Sequence, residues 1–195
     1  LNNELVNKYK IAATEKVKLI RLGVETEKFR DADGAKRQSF RKEFSLSEDE
    51  IAIGIIGRLV PVKQHSLFIE IAEQLIQSTK HSLRFFIVGN GPEKNRIEQL
   101  IVQKNLNYTV DAKNRKAEFV FTSWRQDMDV VYAGLDIVML TSLNEGTPVS
   151  IMEAMSSAKP VVSTNAGGVA ELIDSGNTGF VGTTKQQLTE QVTML

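Results

Sequence analysis

From Ile51 onward, short apolar runs alternate with segments whose apolar residues recur at helical spacing, as Leu67, Ile71 and Leu75 do. The apolar runs predict strands over Ile51–Ile56, Leu83–Val88, Glu118–Phe121, Leu135–Leu140 and Pro160–Ser163, with a short element at Phe180–Val181. The intervening segments predict helices over Ser66–Gln77, Glu93–Lys104, Asp127–Ala133, Val149–Ser157, Gly168–Asp174 and Lys185–Leu195. Repeated strand–helix units with almost wholly apolar strands predict a parallel sheet covered on both faces, the doubly wound, Rossmann-like α/β fold class.

The first fifty residues are less regular. Their pattern predicts a helix over Asn3–Tyr9, a strand over Val17–Leu22, a turn at Asp31–Gly34 and a charged helix over Ala35–Phe44, followed by a polar connection over Ser45–Glu50. We therefore interpret the 195 residues as a single domain, with an N-terminal segment over residues 1–50 and strand–helix repeats over residues 51–195.

Charge and composition narrow the function classes. The 24 basic and 24 acidic residues give a formal net charge of zero, so composition makes no case for binding to nucleic acid or an acidic membrane surface. The absence of cysteine excludes a disulfide framework, a thiolate metal site and a cysteine nucleophile. No apolar run approaches the roughly 18 residues that span a bilayer, and the first residues do not resemble a signal peptide. We expect a cytoplasmic protein and, since both ends are abrupt, a piece of a longer polypeptide.

Ligands bind at the carboxyl ends of the strands in open parallel sheets, so the loops from strand to helix are the places to search. The loop after the first predicted strand contains Gly57, Arg58 and Lys63. Glycine allows close approach of the backbone, arginine makes forked contacts with phosphate, and lysine supplies a compact positive charge. On spacing alone, two solvated surface cations explain this pattern equally well.

Two glutamates lie eight positions apart after the predicted strand Leu135–Leu140. Thr147 and Pro148 between them predict a helix start, with a hydroxyl N-cap followed by proline at the first helical position. Glu145 would then lie in the loop and Glu153 in the second turn, near the unpaired backbone N–H groups of the helix end. Such a place suits a ligand with both hydroxyl groups and negative charge. Taken singly, each glutamate is explained as well by a solvated surface charge.

Two further loops carry weaker signals. The loop Gly89–Pro92 has the small residues of a backbone-lined ligand site, although a plain tight turn explains it better. It does not match G-x-G-x-x-G, and since no predicted strand is followed by that motif, a Rossmann dehydrogenase is disfavoured. Trp124 and Arg125 follow the predicted strand Glu118–Phe121 and would flank a planar base, although a lone tryptophan is more often a packing residue.

Two aspartate pairs, Asp31 with Asp33 and Asp127 with Asp129, match a D-x-D spacing that many nucleotide-sugar enzymes use to hold a divalent ion. Neither pair directly ends a strand, and a turn or a helix cap explains each better. His65 and His81 have no companion at ligand spacing. We therefore predict no metal site and no cofactor.

Together these residues resemble the C-terminal, donor-binding half of a family 4 retaining glycosyltransferase of the GT-B type. The resemblance covers nearly the whole chain and is strong for the ordered set of residues, although the two-glutamate spacing alone is only moderately specific. It rests on Ile20–Phe29, Gly57-Arg58-Leu59 with Lys63, Val88–Glu93, Ala133–Asp136, Glu145 with Glu153, Pro160–Gly168, Glu171 and Gly176–Phe180.

The resemblance implies catalytic roles for Arg58, Lys63 and Glu145. The two cations would bind the diphosphate of a nucleotide sugar and stabilise the charge it develops as a leaving group, without a metal ion. Glu145 would accept hydrogen bonds from the donor sugar. The reaction would transfer a hexose to a hydroxyl acceptor with retention of anomeric configuration, by front-face attack with the leaving phosphate assisting deprotonation of the acceptor.

The resemblance also implies a set of donor-binding residues. Glu153 would bind the ribose hydroxyls, and the backbone around Trp124 and Arg125 would meet the base. The donor would further be contacted by Gly57, Gly89, Gly146, Thr147, Pro148, Val149 and Ser150. The partners implied are the nucleotide sugar and the absent N-terminal acceptor domain of the same polypeptide, which would also make any contact with the cytoplasmic membrane face. Without that domain, the fragment is expected to bind nucleotide but transfer nothing.

Two departures from the family pattern affect the sugar pocket. Gln64 stands where many relatives have glycine, and Thr147–Pro148 stands where many have Phe-Gly. The identity of the sugar is therefore left open. Two alternatives remain: a GT-B sugar-nucleotide epimerase, and a non-catalytic nucleotide-binding module that kept the fold without the chemistry.

Overall fold

The computed structural model describes residues 4–18, 20–110 and 117–195, and within them seven strands form one sheet in which every pairing is parallel. The strands are β1 (Ile51–Ile56), β2 (Leu83–Val88), β3 (Tyr108–Thr109), β4 (Phe119–Ser123), β5 (Ile137–Leu140), β6 (Val161–Thr164) and β7 (Phe180–Gly182). Their order across the sheet is β3-β4-β2-β1-β5-β6-β7. The predicted doubly wound α/β fold class is confirmed.

Helices cover both faces of this sheet. They are α1 (Thr26–Phe29), α2 (Ala35–Glu43), α3 (His65–Ser78), α4 (Lys94–Gln103), α5 (Met128–Gly134), α6 (Val149–Ser156) and α7 (Lys185–Thr193). Short 3₁₀ turns lie at Thr14–Lys16, Pro61–Lys63 and Gly167–Glu171, and a π-helical turn lies at Glu4–Lys8. No helix of the described residues is long and apolar enough to cross a membrane.

The alternation of side chains along each strand divides the core into two layers. Phe86 on β2 packs with Phe40 of α2 and Tyr132 of α5, on the face that also carries α1 and α6. Its neighbour Phe85 points to the opposite face and packs with Phe68 of α3, on the side of α4 and α7. Since successive residues of a strand point to opposite faces, a wholly apolar strand is what a sheet buried on both sides requires.

Most predicted elements are confirmed to within two residues at each end, but the N-terminal segment differs. The strand predicted over Val17–Leu22 is wrong for its described residues, which pair with no strand and leave the side chains of Ile20 and Leu22 largely exposed; Leu19 lies outside the described residues. The helix predicted over Asn3–Tyr9 is limited to the turn Glu4–Lys8, and Asn3 lies outside the described residues. By contrast, Phe29, Phe40 and Phe44 of the segment 1–50 are buried in the core.

The strand order reverses direction between β1 and β5. From β1 the chain moves outward through β2 in one direction, then returns to add β5 on the other side, with Ile55 opposite Met139. In open parallel sheets, the crevice at the carboxyl ends of the strands at such a point is where ligands are expected to bind. The loops that follow β1 and β5 are those that carry Arg58, Lys63 and Glu145.

Candidate functional site

The loops after β1 and β5 are hydrogen-bonded into one unit. The buried hydroxyl of Thr141 donates to the carbonyl oxygens of Lys63 and Gln64, each at 3.0 Å. The backbone N–H of Leu143 donates to the carbonyl of Val62 at 2.8 Å. Because the bonds run between loops that follow adjacent strands, the position of Lys63 relative to Glu145 is fixed by backbone as well as side-chain contacts.

The structure brings Lys63 and Glu145 into direct contact. Lys63 Nζ lies 2.6 Å from Glu145 Oε1, and the two side chains are 21% and 12% exposed. The hydroxyl of Ser142, which is 1% exposed, donates to the same Oε1 at 2.5 Å. Glu145 Oε2 has no hydrogen-bond partner among the described residues, so this oxygen is the one available to a ligand.

Arg58 is arranged differently from Lys63. Its side chain is exposed and makes no ion pair or hydrogen bond with any described residue. The sequence gives no reason to distinguish the two cations. In the structure, Lys63 has a carboxylate partner, whereas Arg58 has none among the described residues and is open to an anion. Lys63 also lies beside Gly57, because a Cβ at that glycine would come 3.4 Å from Lys63 Cε.

The segment Glu145–Gly146 packs against Gly167 and Gly168, in the loop after β6. A Cβ on Gly167 would lie 1.8 Å from the carbonyl oxygen of Glu145, so this close approach of two backbones requires glycine. Gly168 N–H donates to the carbonyl of Gly146 at 3.1 Å. Gly146 itself is exposed, and a Cβ there would meet nothing within 4 Å. Packing therefore does not explain the glycine at 146.

The start of α6 corrects one prediction. Thr147 does not cap the helix; the helix begins at Val149, Pro148 occupies the N-cap position, and no side chain caps it. Pro148 has a helical φ of −74° but an extended ψ of 100°. Proline is compatible with both the N-cap and the first helical position, and the extended ψ here makes the helix begin one residue later. The backbone N–H groups of Val149 and Ser150, in the first turn of α6, have no acceptor among the described residues.

Glu153 lies in the second turn of α6 and is held by a buried phenol. Tyr132 OH donates to Glu153 Oε2 at 3.0 Å, and the tyrosine side chain is fully buried. Burial, together with the nearby Glu153 charge and this hydrogen bond, raises the pKa of Tyr132 well above its usual value. The phenol therefore remains a donor at any physiological pH and orients the carboxylate, whose other oxygen has no partner among the described residues.

The side chains of Trp124 and Arg125, the two residues predicted to lie near a base, have different surroundings. Trp124 is 61% exposed at the carboxyl end of β4. The guanidinium of Arg125 makes forked contacts with both Glu43, at 2.5 and 2.9 Å, and Asp127, at 2.9 and 2.7 Å. These bonds raise the pKa of Arg125 and lower that of Asp127. The guanidinium is therefore occupied by protein carboxylates, so a ligand at this position would be contacted by the backbone of Arg125.

Gly89 contributes to the site through packing. It is buried with a φ of +139°, and a Cβ there would lie 2.0 Å from the carbonyl oxygen of Gly57. Only glycine permits this approach, which brings the loops after β1 and β2 together. The tight turn predicted at Gly89–Pro92 lies two residues later, where the N–H of Lys94 donates to the carbonyl of Gly91 at 3.2 Å.

The aspartate pairs have protein partners. Asp31 accepts from the backbone N–H groups of Lys36 and Arg37 in the first turn of α2, each at 3.0 Å, and Asp129 pairs with Lys36 Nζ at 2.9 Å. Asp127 precedes α5 but does not cap it, contrary to the prediction, because its carboxylate is turned towards Arg125. Within the described ranges, no group of three or more His, Cys, Asp or Glu residues is arranged to hold a metal ion.

The two histidines lie in different environments. His65 is buried, and His81 is exposed. Sequence reasoning missed Ser142 and Tyr132, which orient the two glutamates. For Ser142 the available signal was its position, because Thr141 and Ser142 are the polar residues that directly follow the apolar run of β5. For Tyr132 no sequence signal was available, because its contact with Glu153 joins two separate helices.

The chain resembles known glycosyltransferases in sequence. A family model described as "Glycosyl transferases group 1" matches residues 36–195. The chain is 30% identical over 167 residues to the UDP-Gal:α-D-GlcNAc-diphosphoundecaprenol α-1,3-galactosyltransferase of Escherichia coli, a match that covers 85% of this chain and 41% of the relative.

Solved structures share the fold. The crystal structure of Anabaena HepE in complex with UDP and glucose superposes with a TM-score of 0.80 at 24% identity, covering 96% of this chain and 49% of that chain. The C-terminal domain of a glycosyl transferase group 1 family protein (LpcC) from Francisella tularensis superposes with a TM-score of 0.71 at 25% identity, covering 89% and 87%. The chain thus spans about half or less of the two longer proteins and most of an isolated C-terminal domain.

Proposed function

Since the chain belongs to the glycosyl transferases group 1 family, we propose that it is the donor-binding half of a retaining hexosyltransferase that takes a nucleotide sugar and needs no metal ion. The observation that carries this proposal is the arrangement at the β1–β5 crevice. There Arg58, which has no partner among the described residues, lies in the same loop as Lys63, and Lys63 pairs with Glu145 in the loop that leads to the open backbone N–H groups at the start of α6.

Each group of the donor has a matching group in the crevice. Arg58 and Lys63 bind the diphosphate, supported by the N–H groups from Gly146 to Ser150. The free Oε2 of Glu145 accepts a hydrogen bond from a sugar hydroxyl. Glu153 binds the ribose, and the backbone at Trp124 and Arg125 meets the base. The nucleotide of the Anabaena relative is UDP and the donor named for the E. coli relative is UDP-Gal, which supports a nucleotide sugar as the ligand class.

The positive groups supply the rate enhancement in this scheme. When the bond from the anomeric carbon to the diphosphate breaks, negative charge grows on the departing oxygen. Fixed cations and backbone N–H groups around that oxygen stabilise the transition state more than the ground state, which is the condition for catalysis. The acceptor attacks from the same face, and the leaving phosphate takes its proton, so the configuration at the anomeric carbon is retained.

The acceptor side of the reaction lies in the absent half of the polypeptide. We place the enzyme in the cytoplasm, with any membrane contact made through that half. The E. coli relative is named for an α-D-GlcNAc-diphosphoundecaprenol acceptor, which supports a hydroxyl of a sugar as one acceptor class. The 195-residue chain alone binds the donor and transfers nothing.

Isothermal titration of the chain with UDP, GDP and ADP tests the proposal. We expect one of the three to bind, and Arg58→Ala to weaken that binding by about 1.5–3 kcal/mol through loss of a charge-assisted contact. Arg30→Ala is the matched control, because Arg30 is also exposed but lines a different surface, with Ala158 and Lys159 at the amino edge of β6. A folded chain that binds none of the three nucleotides would contradict the proposed function.

A further inference from the structure

One of the two diphosphate-binding cations is neutralised before any ligand arrives. Lys63 Nζ contacts Glu145 Oε1 at 2.6 Å, whereas Arg58 has no partner among the described residues. A phosphate oxygen that reaches Lys63 must therefore come close to a carboxylate. The net charge of the Lys63–Glu145 pair is zero, so the pair attracts an anion far less than a free lysine would.

Glu145 is not free to move aside. Ser142, which is almost fully buried, donates to the same carboxylate oxygen at 2.5 Å, and the carbonyl of Ser142 is itself bonded to Thr164 Oγ1 at 2.6 Å. The backbone of Glu145 is packed against Gly167. Turning the carboxylate away from Lys63 would leave the hydroxyl of Ser142 buried without an acceptor, which is unfavourable. The carboxylate thus stays beside Lys63 when a ligand binds.

The two ligands of the proposed reaction differ in charge at this point. In a nucleotide sugar the second phosphate is esterified by the sugar as well as joined to the first phosphate, and it carries one negative charge. In a free nucleoside diphosphate it is a terminal phosphate, whose second ionisation near pH 6 gives it a charge of about −1.5 to −2 at neutral pH. A phosphate oxygen bound by Lys63 would lie close to Glu145, so the additional negative charge would be repelled by the carboxylate. The sugar of the intact donor, in contrast, offers hydroxyl groups to the free Oε2.

We propose that Glu145, through its fixed contact with Lys63, makes the site discriminate between the intact nucleotide sugar and the free nucleoside diphosphate. This inference rests on the proposed function and extends it from binding to selectivity. The carboxylate favours the donor by accepting from a sugar hydroxyl and disfavours the product by charge repulsion. The product is thereby bound less tightly once the sugar has left, which promotes its release.

Titrating the chain and its Glu145→Gln variant with matched ligand pairs tests the proposal. The pairs are UDP with UDP-glucose, GDP with GDP-glucose, and ADP with ADP-glucose. In Glu145→Gln, we expect the nucleoside diphosphate to bind at least fivefold more tightly and the glucose ester to bind with equal or lower affinity. Glu153→Gln is the matched control: it removes a carboxylate that is held by Tyr132 and not by Lys63, so both members of a pair should change by the same factor.

A second variant covers the case in which Glu145→Gln does not fold. Lys63→Gln leaves the carboxylate without its cation, so the nucleoside diphosphate should lose more affinity than the glucose ester. Equal factors for the two ligands in either variant, or weaker binding of the diphosphate in Glu145→Gln, would overturn the selectivity role and leave the proposed function standing. If no ligand of the panel binds the folded wild-type chain, the proposed function fails and this inference fails with it.

Discussion

His65 follows the candidate site directly, yet it belongs to the core. It is 3% exposed at the first position of α3, and its Nε2 has no hydrogen-bond partner among the described residues. Burial, and then the charge of the nearby Lys63, lower its pKa from 6.5 to about 4. The imidazole is therefore neutral at physiological pH and does not act as a third cation at the diphosphate.

This histidine should make the stability of the chain depend on pH. The unfolded chain takes up a proton at His65 near pH 6.5 and the folded chain only near pH 4, so protons favour the unfolded state between these values. Between pH 7 and pH 4, the free energy of unfolding of the wild type should fall by about 3 kcal/mol more than that of His65→Leu. Urea denaturation at a series of pH values measures the difference.

The exposed His81 provides the control for this measurement. His81→Leu should retain the pH dependence that arises from His65, because it replaces the other, exposed histidine and leaves the buried one in place. Parallel curves for wild type and His65→Leu would show that the folded state accepts the proton at His65 without penalty.

Single residues also show which features of the candidate site can be predicted from the sequence and which cannot. Residue type and position after strands predict Arg58, Lys63, Glu145 and Glu153 as site residues, because strand ends converge at one edge of a parallel sheet. That Lys63 pairs with Glu145, and that Ser142 holds the same oxygen, depends on the register of β1 against β5. Nothing local to either loop encodes that distance.

At the scale of elements, the loop after β4 is tied to the end of α2. Arg125 bridges Glu43, the last residue of α2, and Asp127, at the start of α5, and its guanidinium lies 5.9 Å from the centre of the Phe44 ring. The side chain is 17% exposed, so these charge-assisted bonds are partly shielded from water. This bridge fixes the backbone next to Trp124, where the base of the donor is proposed to lie.

Removing the bridge should affect both stability and binding. Arg125→Ala should lower the free energy of unfolding by about 1.5–3 kcal/mol, the usual range for hydrogen bonds to charged groups, and should weaken nucleotide binding by loosening the loop. Arg125→Lys should recover only part of the loss, because lysine cannot make two forked contacts. Urea denaturation and isothermal titration measure the two effects.

Arg96 offers a matched ion pair for comparison. It lies 2.8 Å from Glu93, but its side chain is 73% exposed, so Arg96→Ala should cost less than about 1 kcal/mol. If Arg125→Ala costs no more than Arg96→Ala, the bridge contributes no more than an ordinary surface pair.

The elements that sequence patterns predicted poorly are those that depend on a neighbour. The apolar and charged residues of Val17–Leu22 have a strand-like pattern, but a strand forms only where a sheet edge accepts it, and the edges here are β3 and β7. The strand β3 was missed because Tyr108–Thr109 is too short for its periodicity to be recognised. The strands of the sheet centre were predicted well, since burial on both faces leaves a continuous apolar run.

At the scale of the whole molecule, the two core layers share one sheet. Phe40, from the segment 1–50, packs against Phe86 of β2 with ring centres 5.1 Å apart. Phe68 of α3 packs against Phe85 of the same strand at 5.9 Å. Adjacent residues of β2 thus connect the two layers, and loss of order in one layer removes support from the other. We therefore expect the N-terminal helices and the strand–helix repeats to unfold as one cooperative unit.

Truncating one phenylalanine in each core layer tests whether the chain unfolds as one cooperative unit. Phe40 and Phe68 are both fully buried, so Phe40→Ala and Phe68→Ala should each lower the free energy of unfolding by about 3–5 kcal/mol. Both variants should shift a single transition seen alike by circular dichroism and by amide exchange in β2. Ile20→Ala, at an exposed position of the same segment, should change stability by less than about 0.5 kcal/mol. If Phe40→Ala instead produced a separate early transition that left β2 protected, residues 1–50 would form a unit of their own, and the single-domain interpretation of the chain would be wrong.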